Sequence, residues 1–200
     1  MVARAEKAAD TREKIRQAAW DLFTTVGYDA TTTQAIAKRA GVAAGTVFVH
    51  ASDKPDLLFL VMHDRLAGVV DDRFATMPPP EVPLLDRLMH LFGGLFRMYG
   101  EHPHVAFAFV RHYPGAKGPN AQRVSMLTFG FVHRIGSLVA DAQNAGEVAR
   151  DLDPLACAQN IFALYFMALV TWLSGYATLE TALATQLRGA LALQIRGFRA

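Results

Sequence analysis

Apolar residues recur every three or four positions along almost the whole chain, and nowhere do they alternate as a half-buried strand requires. That spacing restricts the fold to helices packed on helices. In the first stripe Ile15, Ala18, Ala19, Leu22, Phe23 and Val26 follow one another, and Gly27 supplies a C-cap. "ATTT" offers hydroxyl N-caps for a short helix over about residues 33–40, which Gly41 ends. A second short helix, from Ala43 or Ala44 to His50, precedes a long one that Ser52 or Asp53 can cap and that runs to about Ala75. Three consecutive prolines in "MPPPEVP" break the pattern, since none can continue a helix. Beyond them come a stripe from Leu84 to Tyr99, the short "EHPHVAFAFVRH", and long helices over about 121–144, 154–176 and 179–198. The expectation is an all-α fold of nine helices.

At 52% hydrophobic and 19% charged residues, the chain is too apolar for disorder. Its single cysteine, Cys157, cannot form an internal disulfide, which fits a reducing cytoplasm. The first twenty residues mix charges throughout, so no signal peptide is expected. Pro154 to Leu179 carries no charge and is long enough to span a bilayer. Gln159, Asn160, Thr171 and Ser174 interrupt it, and no Lys/Arg cluster flanks it. The better reading is a helix buried on every side, in a core and in a subunit interface, with no membrane.

The charge is unevenly divided. Residues 1–54 hold eight Lys/Arg against six Asp/Glu, and the remainder holds twelve of each. A phosphate-facing module is compatible with that excess. The residues around Gly41 say more. Gly41 can supply a left-handed turn, Ala37 four residues earlier permits two helices to cross closely, and Ile36, Val42 and Val47 can share a small core. This is the skeleton of a helix-turn-helix whose second helix enters the major groove. Ala43, Ala44, Gly45 and Thr46 could meet base edges and thymine methyls. Thr33 and Gln34 open the preceding helix, where free N–H groups favour an anion. Lys54, a cation misplaced in a first helical turn, makes sense if it reaches a phosphate.

The run "TTTQAIAKRAGVAAGTVFVHASDKPDLL" resembles the DNA-binding region of the TetR family of transcriptional regulators, and the resemblance covers about residues 10–58. It implies a TetR-like homodimer on double-stranded operator DNA of palindromic sequence. It also implies a small effector ligand that releases the DNA, and a dimer interface made by the last two helices, about residues 154–198. The domains implied are an arm (1–9), a helix-turn-helix module (10–53), a connecting helix (54–76) and a ligand-binding and dimerisation domain (77–200). His50 and Lys54 match family phosphate-contact positions. Phe48 stands where the family usually has a tyrosine whose hydroxyl meets a phosphate, and Ala51 where it tends to have a large aromatic.

Beyond residue 84 no nucleophile–base pair is visible, so an enzyme acting in an aromatic pocket is the weaker alternative. No cofactor is expected. His102, His104 and His112 lack both helical spacing and acidic partners for a metal. Phe92, Phe96, Tyr99, Phe129, His133, Asn160 and Tyr165 could line a mostly apolar pocket with a few polar groups. Asp86 and Glu101 are the only acidic residues between Val82 and Gly118, so a neutral or weakly acidic hydrophobic effector is preferred to a cationic one. Arg97, Arg111 or His133 would meet its oxygen.

Overall fold

The structure, a computed structural model, describes residues 2–198. Among them every regular element is helical: α1 (Val2–Thr25), α2 (Thr33–Ala40), α3 (Ala44–His50), α4 (Lys54–Ala75), α5 (Leu84–Glu101), α6 (Pro103–His112), α7 (Pro119–Asn144), α8 (Pro154–Leu173) and α9 (Arg188–Gly197). A π-type segment, Thr181–Leu187, leads straight into α9. Helix α1 starts well before residue 10, because "VARAEKAA" contains four alanines, the best helix former, and nothing that breaks a helix. The arm expected over 1–9 is therefore helical from Val2.

Prolines open α6, α7 and α8, where the missing N–H would have had no partner. Gly27 follows α1 at φ 95° and Gly41 follows α2 at φ 68°, both in the left-handed region that glycine enters without strain. The π segment also has a cause in the sequence. Ala182 and Leu187 are both buried although five residues apart, and Leu191 and Ile195 continue the face at steps of four. A wider turn brings the fifth residue back over the first, so all four side chains reach one core.

The helices gather into two compact units. One comprises residues up to Arg65 together with His102–Met126, and the other Leu66–Glu101 with the chain from Leu127 onward. In the first, Ile15, Ala19, Phe23, Ile36, Val47, Leu57 and Leu58 are fully buried, and Val105 and Phe109 of α6 join them. In the second, α5 presents Leu84, Leu88, Leu91, Phe92, Leu95 and Phe96 inward. Arg134 there pairs with Asp71 at 2.7 Å and lies over the Phe74 ring. Helices α4 and α7 each begin in the first unit and continue into the second. Helix α8 is long and apolar enough to cross a membrane, but only a third of its apolar window is buried within the chain.

Candidate functional site

The short helices form the expected helix-turn-helix. Thr32 is the N-cap of α2, its hydroxyl accepting from the Ala35 N–H at 3.1 Å. At the other end Gly41 turns left-handed, and the Val42 N–H reaches back to the Ala37 carbonyl at 3.0 Å. Ala43 is extended, and its carbonyl accepts the first bond of α3 from Thr46 at 2.9 Å. Ile36, Ala37 and Val47 are buried between the helices.

With Val47 inward, α3 turns Ala44, Gly45, Phe48 and Val49 outward, and Ala43 is exposed just before it. Phe48 is 53% and Val49 78% exposed, a large apolar area for so short a helix. A Cβ added to Gly45 would meet nothing within 4 Å, so the space in front of it is open. Thr46 is half-buried at the margin of this face. Thr33 is half-exposed and Gln34 exposed in the first turn of α2. Val49 was not among the candidates read from sequence. It stands four residues after Gly45 and two after buried Val47, and that helical spacing is the signal that could have found it.

Lys54 does something other than wait for a phosphate. Its Nζ donates to the carbonyls of Tyr28 (3.1 Å), Asp29 (3.2 Å) and Thr31 (3.1 Å) and sits 4.5 Å from the centre of the Tyr28 ring. An ammonium has three protons, and three carbonyls take them. The loop between α1 and α2 thereby offsets the unfavourable placement of the charge, and these carbonyls hold the ammonium that the sequence expects at a phosphate.

Two residues later, fully buried Asp56 joins three helix ends. Asp53 accepts from the Asp56 N–H at 2.7 Å and Asp56 accepts from the Ser52 N–H at 3.0 Å, a reciprocal cap on α4. The same carboxylate accepts from the Asn120 and Ala121 N–H groups, each at 3.0 Å, which are the first free donors of α7. Asn120 Nδ2 donates both to Asp56 at 3.0 Å and to the His50 carbonyl at 2.8 Å, where α3 ends. Gly118, at φ 115°, makes room: a Cβ there would lie 2.5 Å from an Asp56 oxygen. Sequence reading missed Asp56 and Asn120, whose partners lie more than sixty positions apart.

His50 is half-buried, and desolvation, followed by the nearby Arg12 charge, pushes its imidazole below the usual histidine range. Burial, then the neighbouring Arg123 charge, also lowers Arg12. Arg12 and Arg123 thus place positive charge beside His50 near the end of α3, with Asp64 next to both arginines. Arg12 touches the Asn120 side-chain oxygen at 3.4 Å.

In the second unit the aromatic candidates separate. Phe92 and Tyr165 stack at 4.6 Å, and Phe96 sits edge-on to Tyr165 at 6.1 Å and stacks on Trp172 at 5.5 Å. Phe92, Phe96, Tyr165 and Tyr99 are buried, and Trp172 is half-buried. Phe129 is 70% exposed, and His133 and Asn160 are also exposed, so the structure does not bring these three to the stack. The reason is helical phase: α7 buries Phe131, Val132, Ile135 and Val139, which turns Phe129 and His133 outward, and α8 buries Cys157, Ala158 and Ile161 around Asn160. Arg111 belongs to the first unit, where it pairs with Asp29 at 2.8 Å, and Arg97 is exposed. The buried cation of the second unit is Arg87, which pairs with Asp141 at 3.1 Å and whose Nε has no partner among the described residues.

The histidines considered for a metal have other uses. His102 meets Trp20 edge-on at 4.9 Å, His104 bonds to the Phe23 carbonyl at 3.2 Å, and His112 packs on Tyr28. Among the described residues no three His, Cys, Asp or Glu side chains gather as a metal site would require. Cys157 is buried, and desolvation raises its thiol.

Residues 15–61 match the family model described as bacterial regulatory proteins, tetR family. The fatty acid metabolism regulator protein of Bacillus subtilis is 20% identical over 159 residues, covering 80% of this chain and 81% of its own. Among solved structures, the chain is similar to FadR of Thermus thermophilus, a TetR-family repressor in complex with lauroyl-CoA. That likeness has a TM-score of 0.75 and 24% identity, over 94% of this chain and 95% of the other. FadR of Bacillus subtilis in complex with stearoyl-CoA is similar at a TM-score of 0.71 and 19% identity, over 92% and 98%. A TetR-family regulator from Pectobacterium atrosepticum is similar at 0.73 and 22%, over 98% and 97%. The helix-turn-helix thus matches the model of the TetR family of bacterial regulatory proteins, and the chain shares the fold of TetR-family structures along nearly its whole length.

Proposed function

We propose that the chain is a cytoplasmic, ligand-responsive repressor that binds a palindromic operator as a homodimer and leaves it when a hydrophobic effector binds. The observation that carries the reading is the outward, apolar face of α3 on a rigid helix-turn-helix, a surface with no use within the chain. The charges of Arg12 and Arg123, near His50 at the end of α3, suit phosphates beside it, as do Thr33 and exposed Gln34 in the first turn of α2.

Helix α8 and the last helix supply the dimer surface in this reading. Met167 is 64% and Leu193 69% exposed, and the exposed side of α8 also carries Ala156, Gln159, Asn160 and Ala163. Small and polar residues interleaved with one large apolar one suit close helix packing better than contact with lipid chains. The effector class follows from the aromatic stack and from the relatives: a fatty acyl chain carried on a coenzyme A thioester. Separation of the rings between α5 and α8 would admit the chain. The enzyme alternative has no observation in its favour.

The test combines three measurements on the full chain. Selection from random duplexes should return an inverted repeat, and sedimentation should show a dimer at micromolar concentration. Lauroyl-CoA should weaken operator binding, and operator should weaken lauroyl-CoA binding by the same factor. A monomer, or equal lauroyl-CoA affinity with and without operator, overturns the corresponding part.

A further inference from the structure

We infer that the outward face of α3 recognises its site through thymine C5-methyl groups, without side-chain hydrogen bonds to base edges. The inference rests on the reading of the chain as an operator-binding regulator and adds the chemistry by which it selects sequence.

At 3.6 residues per turn, Ala44, Gly45, Phe48 and Val49 fall within an arc of about 140° opposite buried Val47. Not one of these side chains has a donor or an acceptor. The hydrogen bonds that usually specify bases come from Arg, Lys, Asn, Gln, Asp or Glu, and residues 41–49 contain none of these. The one hydroxyl of the helix, on Thr46, is half-buried at the edge of the arc. His50, the last residue of the helix, falls outside the arc, about 60° from Val47 on the far side. What the face does present is methyl and ring carbon: the Ala44 methyl, the two Val49 methyls and the Phe48 ring.

Of the four bases only thymine offers an apolar group in the major groove. Gly45 shapes the surface to receive one. The space in front of it is open, and helical phase sets Phe48 on one side of it and Val49 on the other, so a methyl can approach the backbone there. Phe48 and Val49 also need cover, since they are the most exposed large apolar side chains of this module after Val26 is set aside at the end of α1. Hydrogen-bonded reading, where it occurs, then falls to residues off α3, such as exposed Gln34 in the first turn of α2.

Deoxyuridine tests this directly, because it keeps every hydrogen-bonding group of thymine and lacks only the methyl. The duplex selected by the full chain is resynthesised with deoxyuridine at each thymine in turn and titrated by fluorescence anisotropy. Each contacted methyl should be worth about fourfold in affinity, the value for one buried methylene-sized group. Replacing all thymines of both half-sites should multiply these losses while leaving the salt slope unchanged, because phosphate contacts remain. Val49→Ala should bind the thymine and deoxyuridine versions equally at the position its methyls touch. If the all-deoxyuridine operator is bound as tightly as the thymine operator, the inference is overturned while the regulator reading stands. If no duplex is enriched, both fall together.

Discussion

Different forces hold the surroundings of the recognition helix and the aromatic stack between α5 and α8. At α3 the fixing contacts are directional. Asp56 accepts four bonds from the start of α7 and the loop before α4, Asn120 ties that carboxylate to the last carbonyl of α3, and Lys54 closes the loop before α2 with three more. In the stack Phe92, Phe96, Tyr165 and Trp172 lie against one another through ring faces and edges. Hydrogen bonds lose strength over fractions of an ångström and tens of degrees. Stacked rings slide and retilt at small cost. On the proposed function, a helix that has to match the spacing of DNA grooves benefits from the first kind of support, and a region that has to part for a ligand benefits from the second.

The largest expected effect breaks this comparison at Asp56. Asp56→Asn keeps the shape of the side chain but turns an NH2 towards groups that are themselves donors. The change should destabilise the protein by about 3 kcal/mol or more, because buried donors lose their acceptor. Urea unfolding followed by circular dichroism measures it. The matching change in the stack, Phe96→Leu, removes more atoms yet should cost only about 1–2 kcal/mol as neighbouring rings close in. A larger loss at Phe96 than at Asp56 would reverse the contrast.

Gly118→Ala sharpens the same point from the backbone side. The new methyl would crowd both Asp56 and the Ser52 hydroxyl, at a φ of 115° that alanine avoids, so about 2 kcal/mol is expected. Operator affinity should fall as well, because the end of α3 hangs on Asn120 two residues further along. Unchanged unfolding and unchanged DNA binding would mean that the loop relaxes freely and the node is not rigid.

Smaller again is Lys54→Ala, expected at about 1–2 kcal/mol through loss of three charge-assisted bonds in a partly exposed place. The slope of log affinity against log salt discriminates between its two roles. A phosphate contact would reduce that slope by about one, whereas the carbonyl-capping role leaves it unaltered.

The helices, the turn at Gly41 and the capping of α2 were all legible in the sequence, because they depend on residues within one or two turns of each other. The long-range ties were not. Nothing near Asp56 announces that it caps α7, and Asn120 stands in a loop-to-helix stretch that reads like any other. Lys54 was singled out for a sound local reason, its charge at a helix N-terminus, and the structure supplies a different acceptor. Among the aromatic candidates, residue type is a fair guide to burial on α5 and for Tyr165 of α8, but not on α7. There the phase of the helix decides, and Phe129 and Phe131 go opposite ways.

The smallest effect is in pH, and it opposes stability to DNA binding within the one unit. Desolvation pushes both His50 and His112 below the usual histidine range; for His50 the Arg12 charge adds to it, and for His112 the Arg111 charge does. A folded-state pKa below the unfolded value means that the unfolded chain takes up protons that the folded chain refuses. Stability is therefore full above about pH 6.5, declines as pH falls through that value, and levels off below the folded pKa values. Bound DNA reverses the preference at His50, since a phosphate beside the ring favours the imidazolium. Between pH 7.5 and 6 the free protein should lose stability while its operator affinity rises, with a steeper salt dependence at the lower pH. His50→Gln should abolish the pH dependence of affinity and part of that of stability. His112→Gln should remove only the remaining stability term, because His112 packs on Tyr28 and has no role at the end of α3. An operator affinity that still rises in His50→Gln would place the titrating group elsewhere and remove His50 from the phosphate-facing cluster.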